Sequence, residues 1–291
     1  MESSVHSSVL SAIARSDLTY AHHDGANLTG RLWKPAGAGR HPVLVAFHGG
    51  GWQAGSPDNF QHLGPWLAAR GVAVFAAAYR FSTPVRKAWP ECFLDARAAV
   101  QFLKGRADEL GLDPDRVSIM GDSAGGHLAA LVGLAGDVPA YADACPDDPY
   151  RHISTKVRCV IGNYGVYDLA AQWMHDQPIR PRDHIVQKLM GCALSDDRRA
   201  YFEASPISYV EAKRNNGTSF LLVHGTEDDV VDRRQTDDFH VALKLAGFFT
   251  RRLIVQGAGH YFVSDPLDEP GSLSGWLAPR ILRFVEERGQ V

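Results

Sequence analysis

Gly121-Asp122-Ser123-Ala124-Gly125-Gly126 is the stretch on which the reading of this chain turns. The apolar run Arg116-Val117-Ser118-Ile119-Met120 leads into it, and His127-Leu128-Ala129-Ala130-Leu131-Val132, a helix-forming run, leads out. Ser inside G-x-S-x-G between a strand and a helix is the setting of a nucleophile elbow. In such a turn the Ser backbone is strained, and side chains at Gly121 or Gly125 would collide with the neighbouring strand and helix. Ser123 then sits at a helix N-terminus, where free N–H groups and the dipole favour negative charge. The plainer alternative is a Gly-rich strand-to-helix turn carrying an inert serine.

Upstream, Pro42-Val43-Leu44-Val45-Ala46-Phe47 has the continuous apolarity of a central strand buried on both faces, and it ends in His48-Gly49-Gly50-Gly51-Trp52. Glycines let a loop approach a reacting carbonyl and leave its N–H groups uncovered, so Gly49 and Gly50 are read as oxyanion donors with Ala124 as the third. No G-x-x-x-x-G-K-[ST] or G-x-G-x-x-G follows that would mark a phosphate cradle. Downstream, two strand-like runs open into chemistry-bearing loops. The first is Val223-His224-Gly225-Thr226-Glu227-Asp228-Asp229; the second is Gln256-Gly257-Ala258-Gly259-His260. A serine hydroxyl needs a base and the base needs an orienting group. The order Ser123, Asp228, His260 supplies both, with Asp229 as the rival acid and Glu227 less favoured.

Between these motifs, strands alternate with helices. Apolar runs at 71–77, 157–161, 219–223 and 251–255 read as strands. The stretches 63–70, 89–103, 233–246 and 277–287 read as helices, and Gly111 to Asp115 reads as a turn. The pattern predicts an α/β fold, a mainly parallel sheet with helices on both faces. Leu18 to His22 and Leu28 to Trp33 flank Asp24-Gly25-Ala26-Asn27, a hairpin signal. Val5, Val9, Leu10 and Ile13 stand at roughly helical spacing, and 170–206 carries Pro and charge without strand signals. The chain is therefore read as one domain, 1–291, with 1–20 and about 170–206 as cap or lid segments.

Four motifs taken together carry a family resemblance: His48-Gly49-Gly50-Gly51-Trp52, Gly121-Asp122-Ser123-Ala124-Gly125-Gly126, His224-Gly225-x-x-Asp228 and Gly259-His260. They resemble those of the hormone-sensitive-lipase-like α/β-hydrolases. Tyr79-Arg80, Trp89-Pro90 and Asp95-Ala96-Arg97-Ala98-Ala99-Val100 are similar to the bacterial feruloyl-esterase-like carboxylesterases of that superfamily. The resemblance spans roughly residues 28 to 285. It implies an α/β-hydrolase fold and a carboxylic ester hydrolase without metal or organic cofactor, with Ser123, Asp228 and His260 as its triad. The stretch Phe81-Ser82-Thr83-Pro84-Val85 departs from the family pattern, which leaves the packing of that loop open. Kynurenine formamidases, close relatives, carry Tyr where Gly51 stands but share Trp52, so a formamide hydrolase is the alternative activity. A non-catalytic ligand receptor on the same fold is a remoter one, since such receptors lose a triad member.

Composition narrows the partners. The 291 residues are 45% hydrophobic and 22% charged, with a formal charge of -3, which gives no reason to expect nucleic acid or an anionic membrane. No basic and apolar leader and no transmembrane-length apolar run appears. Cys92, Cys145, Cys159 and Cys192 are scattered and read as reduced thiols of a cytoplasmic protein, a monomer or homodimer acting on a small-molecule ester. His22-His23, His175 and His184 lack ligand spacing, and Asp143, Asp147 and Asp148 do not form a calcium loop, so no metal is expected. His127 is read as packing or capping. Of the aromatic residues, Trp52 is chosen as a substrate-pocket wall; Trp89, Tyr164, Trp173 and Tyr261 divide evenly between pocket and core.

Overall fold

The computed structural model describes residues 13–212, 214 and 217–290. Its sheet has eight strands in the order β1-β2-β4-β3-β5-β6-β7-β8. These are β1 (Ile13–His23), β2 (Ala26–Pro35), β3 (His41–Phe47), β4 (Ala73–Ala77), β5 (Leu112–Asp122), β6 (Cys159–Asn163), β7 (Ser219–Gly225) and β8 (Thr250–Val255). β1 and β2 pair antiparallel, joined by a tight turn in which Asp24 and Gly25 take the positive φ of 48° and 76° that such hairpins need. From β3 to β8 every pairing is parallel. The helices are α1 (Leu63–Ala68), α2 (Glu91–Gly105), α3 (Ala107–Leu110), α4 (Ala124–Ala135), α5 (Leu169–Ile179), α6 (Ile185–Met190), α7 (Arg198–Glu203), α8 (Arg234–Leu245) and α9 (Leu273–Arg288). This is the α/β architecture expected from the alternation of strands and helices.

Alternation along β3 explains the two-sided core. Val43, Val45 and Phe47 enter one cluster with residues of α2, α4 and α8, while Leu44 and Ala46 enter a second with residues of α1 and α9. A strand packed on both faces must be apolar at every position, which is why no polar alternation marks 43–47 in the sequence. α4 is covered all round, every residue being buried, so the helix that follows Ser123 is wedged into the molecule rather than laid on it.

Two expectations need correction. The segment expected to begin a cap at 1–20 enters the sheet at Ile13 as β1, so Ile13 to Tyr20 are edge strand, and the helical spacing from Val5 to Leu10 lies outside the described residues. At Ile13, pairing with Pro35 of β2 overrides the local spacing. Gly111 to Asp115 is also more than a turn, because Leu112 already pairs with His41 and opens an irregular β5. The 170–206 stretch folds as α5, α6 and α7. Its Val186, Leu189, Met190 and Tyr201 belong to the same core cluster as α4, which fastens these helices to the body.

Parallel strands place their C-terminal ends on one edge, and there the loops carrying His48, Tyr79, Ser123, Tyr164, Asp228 and His260 emerge. Below that edge lies a buried ion network that the sequence did not disclose. His23 contacts Asp95 at 2.9 Å and Asp148 at 3.3 Å, and Asp95 also receives the Arg80 guanidinium at 2.7 Å. Hydrogen bonds to Asp148 and Asp95 raise His23 to about 11, so it is held as imidazolium. Among the described residues no helix is long and apolar enough to cross a membrane, and no cluster of three or more His, Cys, Asp or Glu could hold a metal ion.

Candidate active site

Ser123 follows β5 directly and has φ 54° and ψ −118°, a strained conformation for a residue with a side chain. Close packing explains the flanking glycines. A Cβ on Gly121 would lie 2.1 Å from the Gly125 carbonyl oxygen, and one on Gly125 would lie 1.9 Å from the Phe47 carbonyl oxygen. Any larger residue at either site would push strand and helix apart. The turn is fastened by the Ser123 N–H donating to the Asn163 carbonyl at 2.9 Å.

At the ends of β7 and β8, His260 Nδ1 meets Asp228 Oδ2 at 2.7 Å. The Asp228 side chain is completely covered, whereas Glu227 and Asp229 face solvent, so burial sets Asp228 apart from the two rival acids. Its Oδ1 accepts the N–H groups of Val230 and Val231, each at 2.9 Å, and Oδ2 also faces His224 Nε2 at 3.2 Å. Burial works to raise the Asp228 carboxyl, but hydrogen bonds from His224 and His260 outweigh it and hold the group well below the usual carboxylate range. With Nδ1 donating to a carboxylate, Nε2 of His260 is the basic nitrogen. It is buried and has no hydrogen-bond partner among the described residues, so no Ser123–His260 bond is made. Tyr164, one residue beyond the Asn163 that anchors Ser123, packs its ring 4.5 Å from the imidazole. A catalytic hydrogen bond of this kind often forms only when substrate is bound.

The Gly-rich loop differs from expectation at one residue. Gly49 gives its N–H to Asp122 Oδ2 at 3.0 Å, so it is already committed and is not a free oxyanion donor. Gly50 and Gly51 line the cavity that contains Ser123, and their N–H groups have no partner among the described residues. At Gly50, φ is 116° and a Cβ would lie 2.1 Å from the Ala54 carbonyl oxygen, so only glycine fits. The loop is braced from behind. Tyr79 Oη donates to the His48 carbonyl at 2.8 Å, and the Ser82 N–H donates to the Trp52 carbonyl at 2.8 Å. The divergent Phe81-Ser82 stretch therefore supports this loop.

Trp52 is a wall of the cavity and donates from Nε1 to His127 Nδ1 at 3.2 Å. His127 Nε2 lies 2.7 Å from the Ala204 carbonyl, which fixes the proton on that nitrogen. Burial lowers His127 to about 4, so it stays neutral and ties Trp52 to the end of α7. Of the other aromatic candidates, Tyr261 lines the cavity, Tyr164 packs behind His260, and Trp89 stacks on Phe93. Trp173 packs, half-buried, against the main core.

Sequence reasoning gave Asp122 no role, although it sits inside the quoted motif. Complete burial raises its carboxyl to about 7 against the opposing Gly49 N–H. It also missed Gln172 and Asp176. They line the Ser123 cavity from α5 and are almost fully buried, and their i, i+4 spacing on an unpatterned helix is the only signal that precedes the structure.

Residues 32–243 match the BD-FAE family. Esterase LipC of Mycobacterium tuberculosis (strain ATCC 25618 / H37Rv) is 32% identical over 84% of this chain and 58% of its own. LipM of the same strain, described as a probable carboxylic ester hydrolase, is 30% identical over 77% of this chain and 50% of its own. The chain thus spans about half the length of the curated relatives it matches. Among solved structures, the thermophilic esterase Est2 of the Planctomycetes species Thermogutta terrifontis superposes with a TM-score of 0.75. It is 27% identical, covering 94% of this chain and 92% of Est2, and it has also been solved with butyrate bound.

Proposed function

The chain belongs to the BD-FAE family, and from that membership we propose that it is a serine hydrolase cleaving carboxylic esters through an acyl-enzyme. The observation that carries the reading is the His260–Asp228 pair, 2.7 Å apart on Nδ1, with Nε2 left unpaired at the sheet edge that also bears the strained Ser123. His260 Nε2 takes the Ser123 proton as the hydroxyl oxygen bonds to the ester carbonyl carbon. The carbonyl electron pair moves onto its oxygen, which the N–H groups of Gly50, Gly51 and Ala124 stabilise. Collapse of that intermediate breaks the bond to the alcohol oxygen, which leaves with the proton from His260. Water repeats the sequence on the acyl-enzyme and releases the acid, with Asp228 stabilising the imidazolium each time.

A cavity of about 220 Å³ beside Ser123 and the butyrate-bound form of Est2 both support short acyl chains. Residues 170–206 act as a cap over the site in this reading, since α5 and α6 contribute Gln172, Asp176, Ile185 and Val186 to the cavity wall. The esterase names of the relatives favour esters over formamides, and retention of all three triad residues disfavours a non-catalytic receptor. Four free cysteines suit the reducing cytoplasm. The test is hydrolysis of a p-nitrophenyl ester chain-length series by wild type and Ser123→Ala. A short-chain optimum lost in the variant is expected. Wild-type inactivity on every ester, with turnover of N-formylkynurenine, would move the assignment to formamides.

A further inference from the structure

The wall of the Ser123 cavity is largely apolar. Val166, Ile185, Val186, Val230 and Val231 line most of it, and Gln53, Gln172 and Asp176 are polar side chains on the same wall. Gln172 and Asp176 are withdrawn from bulk solvent, at 4% and 3% exposure, so their hydrogen-bonding capacity is either met inside or directed at the cavity. The amide orientation of Gln172 is forced. Its Nε2 donates to Asp176 Oδ1 at 2.9 Å and to the Val230 carbonyl at 3.0 Å, and only the NH2 end can serve two acceptors. The opposite atom, Gln172 Oε1, is then buried without a partner. Asp176 Oδ2 likewise makes no hydrogen bond among the described residues. An unpaired buried acceptor, with Asp176 beside it, thus stands in the wall of the pocket that also holds the serine.

Resting on the ester-hydrolase reading, we infer that this enzyme prefers esters in which one limb carries a hydroxyl group, bound by Gln172 Oε1 and Asp176. An alkyl limb would leave Gln172 Oε1 buried and unsatisfied. A limb ending in a hydroxyl gives Gln172 Oε1 the proton it lacks. A neutral hydroxyl fits better than an ammonium. Burial raises the Asp176 carboxyl, and the basic groups already acting on it are Arg180, His175 and His184. The cavity, about 220 Å³, holds roughly seven waters' worth of liquid volume at ~30 Å³ each, enough for a short hydroxyalkyl chain.

The experiment compares kcat/KM in matched pairs. Ethyl ω-hydroxyhexanoate against ethyl hexanoate probes the acyl limb, and ω-hydroxybutyl acetate against butyl acetate probes the alcohol limb. Ethyl ω-aminohexanoate serves as the cationic control. In wild type the hydroxyl member of one pair is expected to be at least about tenfold better, as polar sites discriminate strongly against analogues lacking the matching group. In Gln172→Met and in Asp176→Leu that ratio should fall toward about one. Should Asp176→Leu fail to fold, the near-isosteric Gln172→Met decides alone. Hydroxyl and plain esters turned over equally by wild type, or a ratio unchanged in the variants, would overturn the inference and leave the esterase intact. Preference for the ammonium ester would overturn it in favour of a cation subsite. Inactivity on every ester would overturn both readings.

Discussion

Replacing Asp228 by Asn changes one charge and almost no volume, so its effect can be followed atom by atom. Oδ1 accepts the N–H groups of Val230 and Val231, both at 2.9 Å. Those donors hold the Asn oxygen in the same place, and its NH2 falls where Oδ2 stood, 2.7 Å from His260 Nδ1. Nδ1 must then accept rather than donate. The neutral imidazole carries its proton on Nε2, and that nitrogen can no longer take one from Ser123. The NH2 also confronts His224 Nε2, whose second neighbour at 3.0 Å is the Val231 carbonyl, so a donor there meets another donor. A wrong tautomer in a Ser-His-Asp arrangement costs about 10⁴ in kcat. That corresponds to about 5.5 kcal/mol in activation free energy. KM should hardly change, because the pair touches no part of the ground-state substrate. Steady-state hydrolysis of p-nitrophenyl butyrate by wild type and Asp228→Asn measures the effect, with circular dichroism to verify folding. A folded variant within about tenfold of wild type would refute the orienting role and direct attention to Asp229.

Three further outcomes are expected. Gly50→Ala places a Cβ 2.1 Å from the Ala54 carbonyl oxygen at a φ of 116°; the loop must shift, and kcat for p-nitrophenyl butyrate should fall by about 10² to 10³, the worth of one oxyanion donor. Asp122 has its folded pKa raised from 3.8 to about 7, so ionising it destabilises the fold as pH rises through that window, by on the order of 4 kcal/mol at neutral pH. Asp122→Asn keeps an acceptor for Gly49 without the charge, and its urea-unfolding free energy relative to wild type should improve from pH about 4 to about 7; a constant difference would show that Asp122 does not titrate there. His23 is raised to about 11 by Asp148 and Asp95, so its contribution is fully present below its ordinary pKa of 6.5 and is lost as pH rises through about 11. His23→Phe should lower the melting temperature at neutral pH, and its deficit should shrink in strong alkali.

What the chain states by itself is whatever rests on neighbours in sequence. The elbow is local: Gly121 and Gly125 are needed within a few residues of Ser123, and strand and helix flank it directly, so a short window contains the whole argument. The continuously apolar runs at β3, β4, β6 and β7 likewise announce a parallel sheet covered on both faces, because each strand must satisfy its own burial. Contacts between distant segments decided the rest. Gly49 and Gly51 are chemically identical in sequence, and only Asp122, 73 residues from Gly49, takes one N–H and leaves the other to the cavity. Asp228 and Asp229 are likewise equivalent until burial covers one and exposes the other. Ile13 joins β1 because β2 offers it a ladder, which the apolar spacing of the N-terminus does not encode. Gln172 and Asp176 look like ordinary helix-surface residues, and become part of the pocket wall only when α5 packs beside Ser123's cavity. Local backbone chemistry specifies the strained serine turn of the proposed nucleophile, whereas the partition of buried polar groups between structure and ligand is a property of the assembled interior.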